Sequence, residues 1–225
     1  MLQLLQPWFY MKRSDKESLF KILYQDNHIL VALKSSDLLT QAAEKNENNL
    51  QDLLKEELKI ELGKDRVFLH AIYRLDKQVS GIVLFAKSSK ALSRLNQEMR
   101  EKKIIKKYQA IVEGILDKKK AELKNQIEHL SHRAKIVDPK KAKTAILEYE
   151  VIKEEKDKSY LLINLITGRY HQIRAQLSFI GHPIVGDEKY GSKQKSKSIK
   201  LHCSYLEFDH PVTKKKVILE NNFLF

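Results

Sequence analysis

The apolar residues of this chain change period several times along its length, and that alternation constrains the fold more than any other feature. A period of two marks a half-buried strand, and recurrence near 3.6 marks an amphipathic helix. FKILYQDNHILVALK, residues 20–34, reads as two strands across an Asp26-Asn27 turn. Leu50, Leu53, Leu54, Leu58 and Leu62 then share one helical face, with Asn48 or Asn49 placed to cap its start and Gly63 to end it. Residues 67–73 and 81–87 read as strands flanking an Arg74-Leu75-Asp76 turn, and Ser88 or Ser89 caps a helix with Leu92, Leu95 and Met99 inward. Residues 107–112 form a further strand, whereas 121–143 is polar and shows no clear period. TAILEYEVI and YLLINLI resume strand patterning, residues 171–180 form a short helix stopped by Gly181 and Pro183, and LHCSYLEFDHP alternates again. KQKSKSIK reads as a mobile loop. Strands and helices interleaved in this way predict a mixed α+β domain.

The chain has 225 residues, enough for one large domain or two small ones. Its 42 Lys and Arg against 29 Asp and Glu leave a formal charge of +13, which suits a polyanionic ligand. The basic residues cluster at 102–107, 118–120, 140–143, 193–200 and 214–216, a pattern that fits one face of a folded domain. A surface solvated by lysine gives the same count, so charge supports a nucleic-acid partner without deciding it. One cysteine, Cys203, excludes an internal disulfide and fits a reducing compartment, so the cytoplasm is expected. The opening MLQLLQPWFYMKR has no positive charge ahead of its apolar residues, no small-residue cleavage site and too short a run to cross a bilayer. Neither a signal peptide nor a membrane segment is expected.

Several chemistries lack their spacing. No GxxxxGK[ST], GxGxxG or GxSxG occurs, and the HLSH of residues 129–132 has no cysteine or second ligand pair beside it, so no metal site is expected. Covalent catalysis by a lone carboxylate remains. Three segments stand out: HAIYRLDKQVSGIVLFA at 70–86, KKYQAIVEG at 106–114 and GRYHQIRAQLSFIGHPIVGDEKYG at 168–191. On the residues alone, Arg74 and Asp76 point the same way along an extended segment and the plainer reading is a surface ion pair. By the same standard Tyr108 is a half-buried strand tyrosine and Arg174 a helix-surface arginine.

Together the three segments closely resemble the RluA-type family of RNA pseudouridine synthases, over roughly residues 19–220. The family motif HRLDxxTSGLLLFAK is matched in register by Arg74, Leu75, Asp76, Ser80 and Gly81. The resemblance implies that Asp76 is the nucleophile, that Tyr108 of the KxYxAxVxG strand is a platform for the target base and a candidate in proton transfer from carbon 5, and that Arg174 of GRxHQIR pairs with the nucleophile. It further implies that Arg74 fills the gap left by the extracted nucleotide, while His171 and Gln172 brace the substrate site. The implied fold is a single-domain α+β structure with a large mixed, mostly antiparallel sheet, flanking helices and a central catalytic cleft. Residues 1–18 would be an N-terminal arm and 19–225 the catalytic domain. Many members carry a small α-helical RNA-binding domain at the N-terminus, whereas here the sheet is expected to begin by residue 19, so affinity is expected to come from the catalytic domain itself.

The implied partner is ribosomal or transfer RNA, with no cofactor, no metal, no membrane and a monomeric protein. The chain departs from the pattern at Tyr73, where most members have His, at Val79, where many have Thr or Ala, and at Ser35-Ser36, where a Pro usually follows the lysine. A non-catalytic RNA-binding module of the same fold is the alternative, yet such a module has no need of a carboxylate facing RNA. A nuclease or glycosylase would require a water-activating base or metal cluster, which the motifs do not supply.

Overall fold

The computed structural model describes residues 19–42, 47–137 and 142–222, so the N-terminal arm expected at 1–18 lies outside the described residues. Its eleven strands form one sheet. Strands β1 (Phe20–Gln25) and β2 (Ile29–Lys34) make the expected hairpin, whose turn is fixed by Asp26 Oδ1 accepting from the backbone N–H groups of His28 and Ile29. Helix α1 (Leu50–Leu62) starts at Asn49, whose side chain accepts from Asp52 N, and ends at Gly63 in the left-handed region with φ of 61°.

The short β3 (His70–Ala71) and the central β4 (Ser80–Ala86) flank the Arg-Leu-Asp turn. Helix α2 (Ser89–Arg100) is capped by Ser88, and it buries Ala91, Leu95 and Glu98, with Leu92 and Met99 only partly covered. Next come β5 (Ile105–Glu113), β6 (Lys120–His129), β7 (Ala134–Ile136), β8 (Lys143–Glu155) and β9 (Lys158–Leu165). Helix α3 (Gln172–Phe179), a 3-10 turn at Glu188–Tyr190, and strands β10 (Leu201–Asp209) and β11 (Lys216–Glu220) complete the described chain.

The main path of the sheet runs β1-β2-β4-β10-β5-β9-β8-β6-β7, with β11 on β10 and β3 on β4. Every pair is antiparallel except β4 with β10. The sheet is therefore mixed and mostly antiparallel, as expected. In its centre both faces are buried: Leu30, Ala32, Val83 and Phe85 join the core beneath α1, while Ile29, Val31, Ile82 and Leu84 join the core beneath α2. At the parallel seam a Cβ on Gly81 would lie 2.4 Å from the backbone nitrogen of Cys203. Only glycine allows β4 and β10 to approach so closely, and its φ of +129° adds to that requirement.

Two expectations differ from the structure. The strand expected over 67–73 is reduced to His70–Ala71, because His70 already lies opposite Ala86, the last residue of β4, and residues 67–69 run past its end. The 121–143 stretch contains β6 and β7. Its alternation is muted because most of β6 is solvated and only Ala121, Leu123 and Ile127 supply apolar positions on the covered side. The segment 193–200 is a loop, and its first residues are anchored by Glu113 Oε1, which accepts from the backbone of Lys193 and Gln194 at 2.8 Å each.

Candidate active site

Three segments far apart in sequence converge on a cleft of about 860 Å³ lined by Arg74, Asp76, Tyr108, Arg169, Arg174 and Lys189, among others. Asp76 sits on the turn between β3 and β4. That turn is held from two sides. Thr40 Oγ1 donates to Leu75 O and accepts from Leu75 N, both at 3.0 Å, and the Nζ of Lys34 donates to the carbonyls of Ser35, Leu38 and Lys77. Lys34 is fully buried at the end of β2. Burial pulls its ammonium down to about 7 against Asp76 and Asp37, which hold it up.

Arg174 projects from α3 and uses all five of its N–H groups. Nε and Nη2 form a bidentate pair with Asp187 at 2.6 and 2.8 Å, Nη1 donates to Asp76 Oδ2 at 3.0 Å and to His171 Nε2 at 3.1 Å, and Nη2 reaches Gln78 Oε1 at 3.3 Å. Arg174 and Asp187 are 2% and 1% exposed, so this pair is a buried one. One guanidinium thus serves two carboxyl groups, and Lys34 and Lys189 add positive charge on the Asp76 side.

Burial raises the Asp76 carboxyl above its usual range, opposed first by Arg174 and then by Lys34 and Lys189. The arginine thus lowers the cost of charging Asp76 without reversing it. A quarter of the Asp76 side chain still faces the cleft.

His171 occupies the cap position of α3 at φ of 49°, in the left-handed region where a residue with a Cβ is strained. Burial, and then the Arg174 and Lys189 charges, hold its imidazole down at about 3, so it is neutral. Since a guanidinium only donates, Nε2 is the acceptor, and Nδ1–H donates to Tyr190 Oη at 2.9 Å. Gln172 braces the approach instead of facing Asp76. Its Oε1 accepts from Thr167 Oγ1 and Arg169 N, and its Nε2 donates to Ile146 O.

On the opposite wall Tyr108 is buried in β5, with its phenol pushed well above its ordinary value by burial and then by Cys203. Tyr73 lines the same wall, donating its hydroxyl to Ile82 O at 3.0 Å while Lys106 Nζ sits 4.6 Å from its ring. Arg74 is exposed at the mouth of the cleft. Of the six residues singled out in the sequence, Asp76, Arg174 and His171 are in mutual contact, and Tyr108 and Arg74 line the same cleft.

Asp187, Lys34, Gln78 and Tyr190 were missed. Asp187 had a readable signal as the sole Asp of the third segment, set between Gly186 and Gly191 at φ of 83° and 95°. Among the described residues no group of His, Cys, Asp and Glu is arranged to hold a metal ion.

Residues 28–179 match the family model described as RNA pseudouridylate synthase. The chain belongs to the RNA pseudouridylate synthase family. This is a family of isomerases that convert uridine to pseudouridine, and the RluA-type resemblance of the motifs agrees with it. Similar curated proteins of this family include the "Ribosomal large subunit pseudouridine synthase C" of Buchnera aphidicola subsp. Baizongia pistaciae, 34% identical over 88% of this chain and 65% of that protein. The Rickettsia prowazekii protein of the same name is 31% identical over 91% of this chain and 68% of that protein. The chain thus spans about two thirds of the length of these relatives. Among solved structures, "Human RNA Pseudouridylate Synthase Domain Containing 4" superposes with a TM-score of 0.75 at 22% identity, covering 90% of this chain and 88% of that one. That likeness establishes the pseudouridine synthase fold. No helix among the described residues is long and apolar enough to cross a membrane.

Proposed function

We propose that this protein isomerises a uridine of large-subunit ribosomal RNA to pseudouridine, with Asp76 as the nucleophile. The observation that carries the reading is the Asp76 carboxylate, bonded at 3.0 Å to a guanidinium with every N–H engaged and still open to a cleft. A module that only binds RNA gains nothing from a carboxylate facing a polyanion. The ribosomal substrate is taken from the names of the bacterial relatives.

The reaction breaks the bond between ribose carbon 1′ and uracil N1 and joins the same carbon to uracil carbon 5, so water and electrons are not consumed. A stacked uridine must first leave its helix, at a cost of a few kcal/mol. Arg74, exposed at the cleft mouth, occupies the vacancy, and Lys and Arg contacts to phosphates offset the cost. Arg174 takes Asp76 Oδ2 and leaves Oδ1 to the substrate. Addition at carbon 6, attack at carbon 1′ and assisted elimination all begin from that oxygen in its ionised form. Tyr108 stays a neutral phenol because burial holds its pKa high, which suits a face on which the freed uracil rotates better than a general base. His171 fixes the guanidinium through its acceptor nitrogen, and Gln172 holds the 167–169 turn beside the substrate.

The test is Asp76→Asn, which preserves shape and removes the nucleophile. Pseudouridine mapping of RNA from a deletion strain complemented with the wild-type or variant gene should show one ribosomal site restored by the wild type alone. Restoration by Asp76→Asn refutes the assignment, and restoration at a transfer RNA site refutes the substrate.

A further inference from the structure

A column of three rings leads out of the cleft from the buried arginine. His171, beside Arg174, stacks on Tyr170 with centroids 3.9 Å apart and planes within 16°, and Tyr170 meets His129 at 4.1 Å with a tilt of 43°. The inner ring is buried, Tyr170 is 38% exposed on the cleft wall, and His129 is exposed at the end of β6. Tyr170 fills the position that the GRxHQIR motif leaves open, and His129 opens the HLSH sequence that fits no metal site. Neither residue has a part in the chemistry described above.

The column is set in a rigid frame. The β6–β7 hairpin that carries His129 is fastened to the 188–190 turn, where Ala134 N donates to Tyr190 Oη at 2.7 Å and Lys189 Nζ to His132 O at 2.9 Å. That same Tyr190 hydroxyl accepts from His171, so the outer rings are referenced to the Asp76 site through two hydrogen bonds. Arg169, next to Tyr170 in the chain, and Lys189, whose charge acts on His171, are exposed beside the column and give it a basic flank.

We propose that His129 and Tyr170 form a stacking platform for a nucleobase flanking the target uridine. The inference rests on the pseudouridine synthase reading and adds the contact that orients the strand. Extraction of one nucleotide deprives its neighbours of a stacking partner. An exposed ring in a basic setting, continuous with the cleft through which the RNA must enter, offers a flanking base a stacking partner in addition to Arg74 in the vacancy. It does so with little sequence preference, because every base has a π-face. A protein ligand is less suited to the position, since the RNA backbone leaving the cleft would run across it.

Short single-stranded RNAs with one uridine flanked on either side by 2-aminopurine report stacking as quenched fluorescence and binding as anisotropy. Asp76→Asn protein serves as the background, so that the uridine is not consumed. Quenching is expected at one flanking position only. Adding His129→Ala should relieve it and weaken binding by about tenfold, the scale of one lost base–aromatic stack, whereas His129→Phe should retain both. His129 is exposed, so the variant tests contact and not folding. Equal quenching and equal affinity in the His129→Ala protein overturn the platform, as does failure of the oligonucleotides to bind. Pseudouridine formation by the wild type on bulk RNA is measured alongside. Its absence with His129-dependent quenching sinks the catalytic reading and spares the platform, and its presence without such quenching does the reverse.

Discussion

The two walls of the cleft are built on opposite principles. The wall of Asp76, Arg174 and His171, backed by the buried Asp187, is polar, and its geometry is fixed by directional bonds in which each donor has an assigned acceptor. The wall of Tyr108, Tyr73 and Leu201 is held mainly by burial, with Lys106 against the Tyr73 ring. Removal of a member from a saturated ionic network leaves a buried charge without its partner, whereas trimming an apolar wall removes only contacts and a hydroxyl. The walls should therefore fail differently, and substitutions can separate them.

The largest effect is expected from Asp187→Leu. It strips the bidentate partner from a buried guanidinium and should cost about 3–5 kcal/mol in chemical denaturation, with activity lost. The double variant Asp187→Leu with Arg174→Met should regain most of that stability and none of the activity. A single-variant cost below about 1 kcal/mol would mean that the polar wall is not the network described. Next in size is Arg174 itself. Arg174→Ala should lower kcat/KM by about a hundredfold or more and Arg174→Lys by less, because the lysine keeps the charge and loses the planar fork.

The pH profile sharpens the comparison further. Burial raises the Asp76 carboxyl, so the acid limb of kcat/KM should lie above the ordinary aspartate value of 3.8. Lys34→Met removes a charge that favours the ionised form, so the limb should move to still higher pH. His171 contributes in the stability profile. Its folded pKa of about 3 lies below the ordinary 6.5, so its contribution is present above pH 6.5 and is lost as pH falls toward 3. A denaturation series on His171→Asn should be flatter across that window. The smallest effect belongs to the apolar wall: Tyr108→Phe keeps the ring and should lower kcat by less than about tenfold. Loss of all activity in that variant would place the hydroxyl in the chemistry.

The strand and helix pattern was legible wherever one face of an element is solvated or both faces are apolar, as in β1, β2, α1 and β10. It failed at β6, where polar residues occupy both faces and the pairing is decided by β8, and at 67–69, where Leu69 is buried without joining a ladder. The contact of Arg174 with Asp76 was legible from motif resemblance, since their 98-residue separation carries no local signal. Asp187 escaped because a lone aspartate between glycines reads as a turn residue, and nothing in the sequence says that its turn folds under α3. Lys34 escaped because a lysine ending a strand is ordinarily solvated, and the carbonyls that replace water come from the closure of the 35–38 turn over it and from Lys77, 43 residues away.

Strand β10 has a consequence for the order in which this molecule is made. It is the one described strand that bridges β1-β2-β4 on one side and β5-β9-β8-β6-β7 on the other. Asp76 belongs to the first half-sheet and Arg174 follows the second, and β10 comes after both in the chain. During synthesis at about 5–20 residues per second, both halves emerge before the strand that joins them. A nascent chain ending before Leu201 has Asp76 and Arg174, yet no strand ladder to hold them together. The same late seam gives the fold contacts of high sequence separation, such as Gly81 with Cys203, and so a slow final docking step. Competence for chemistry thus arrives with the last long strand, which makes the active site a report that the whole sheet has closed.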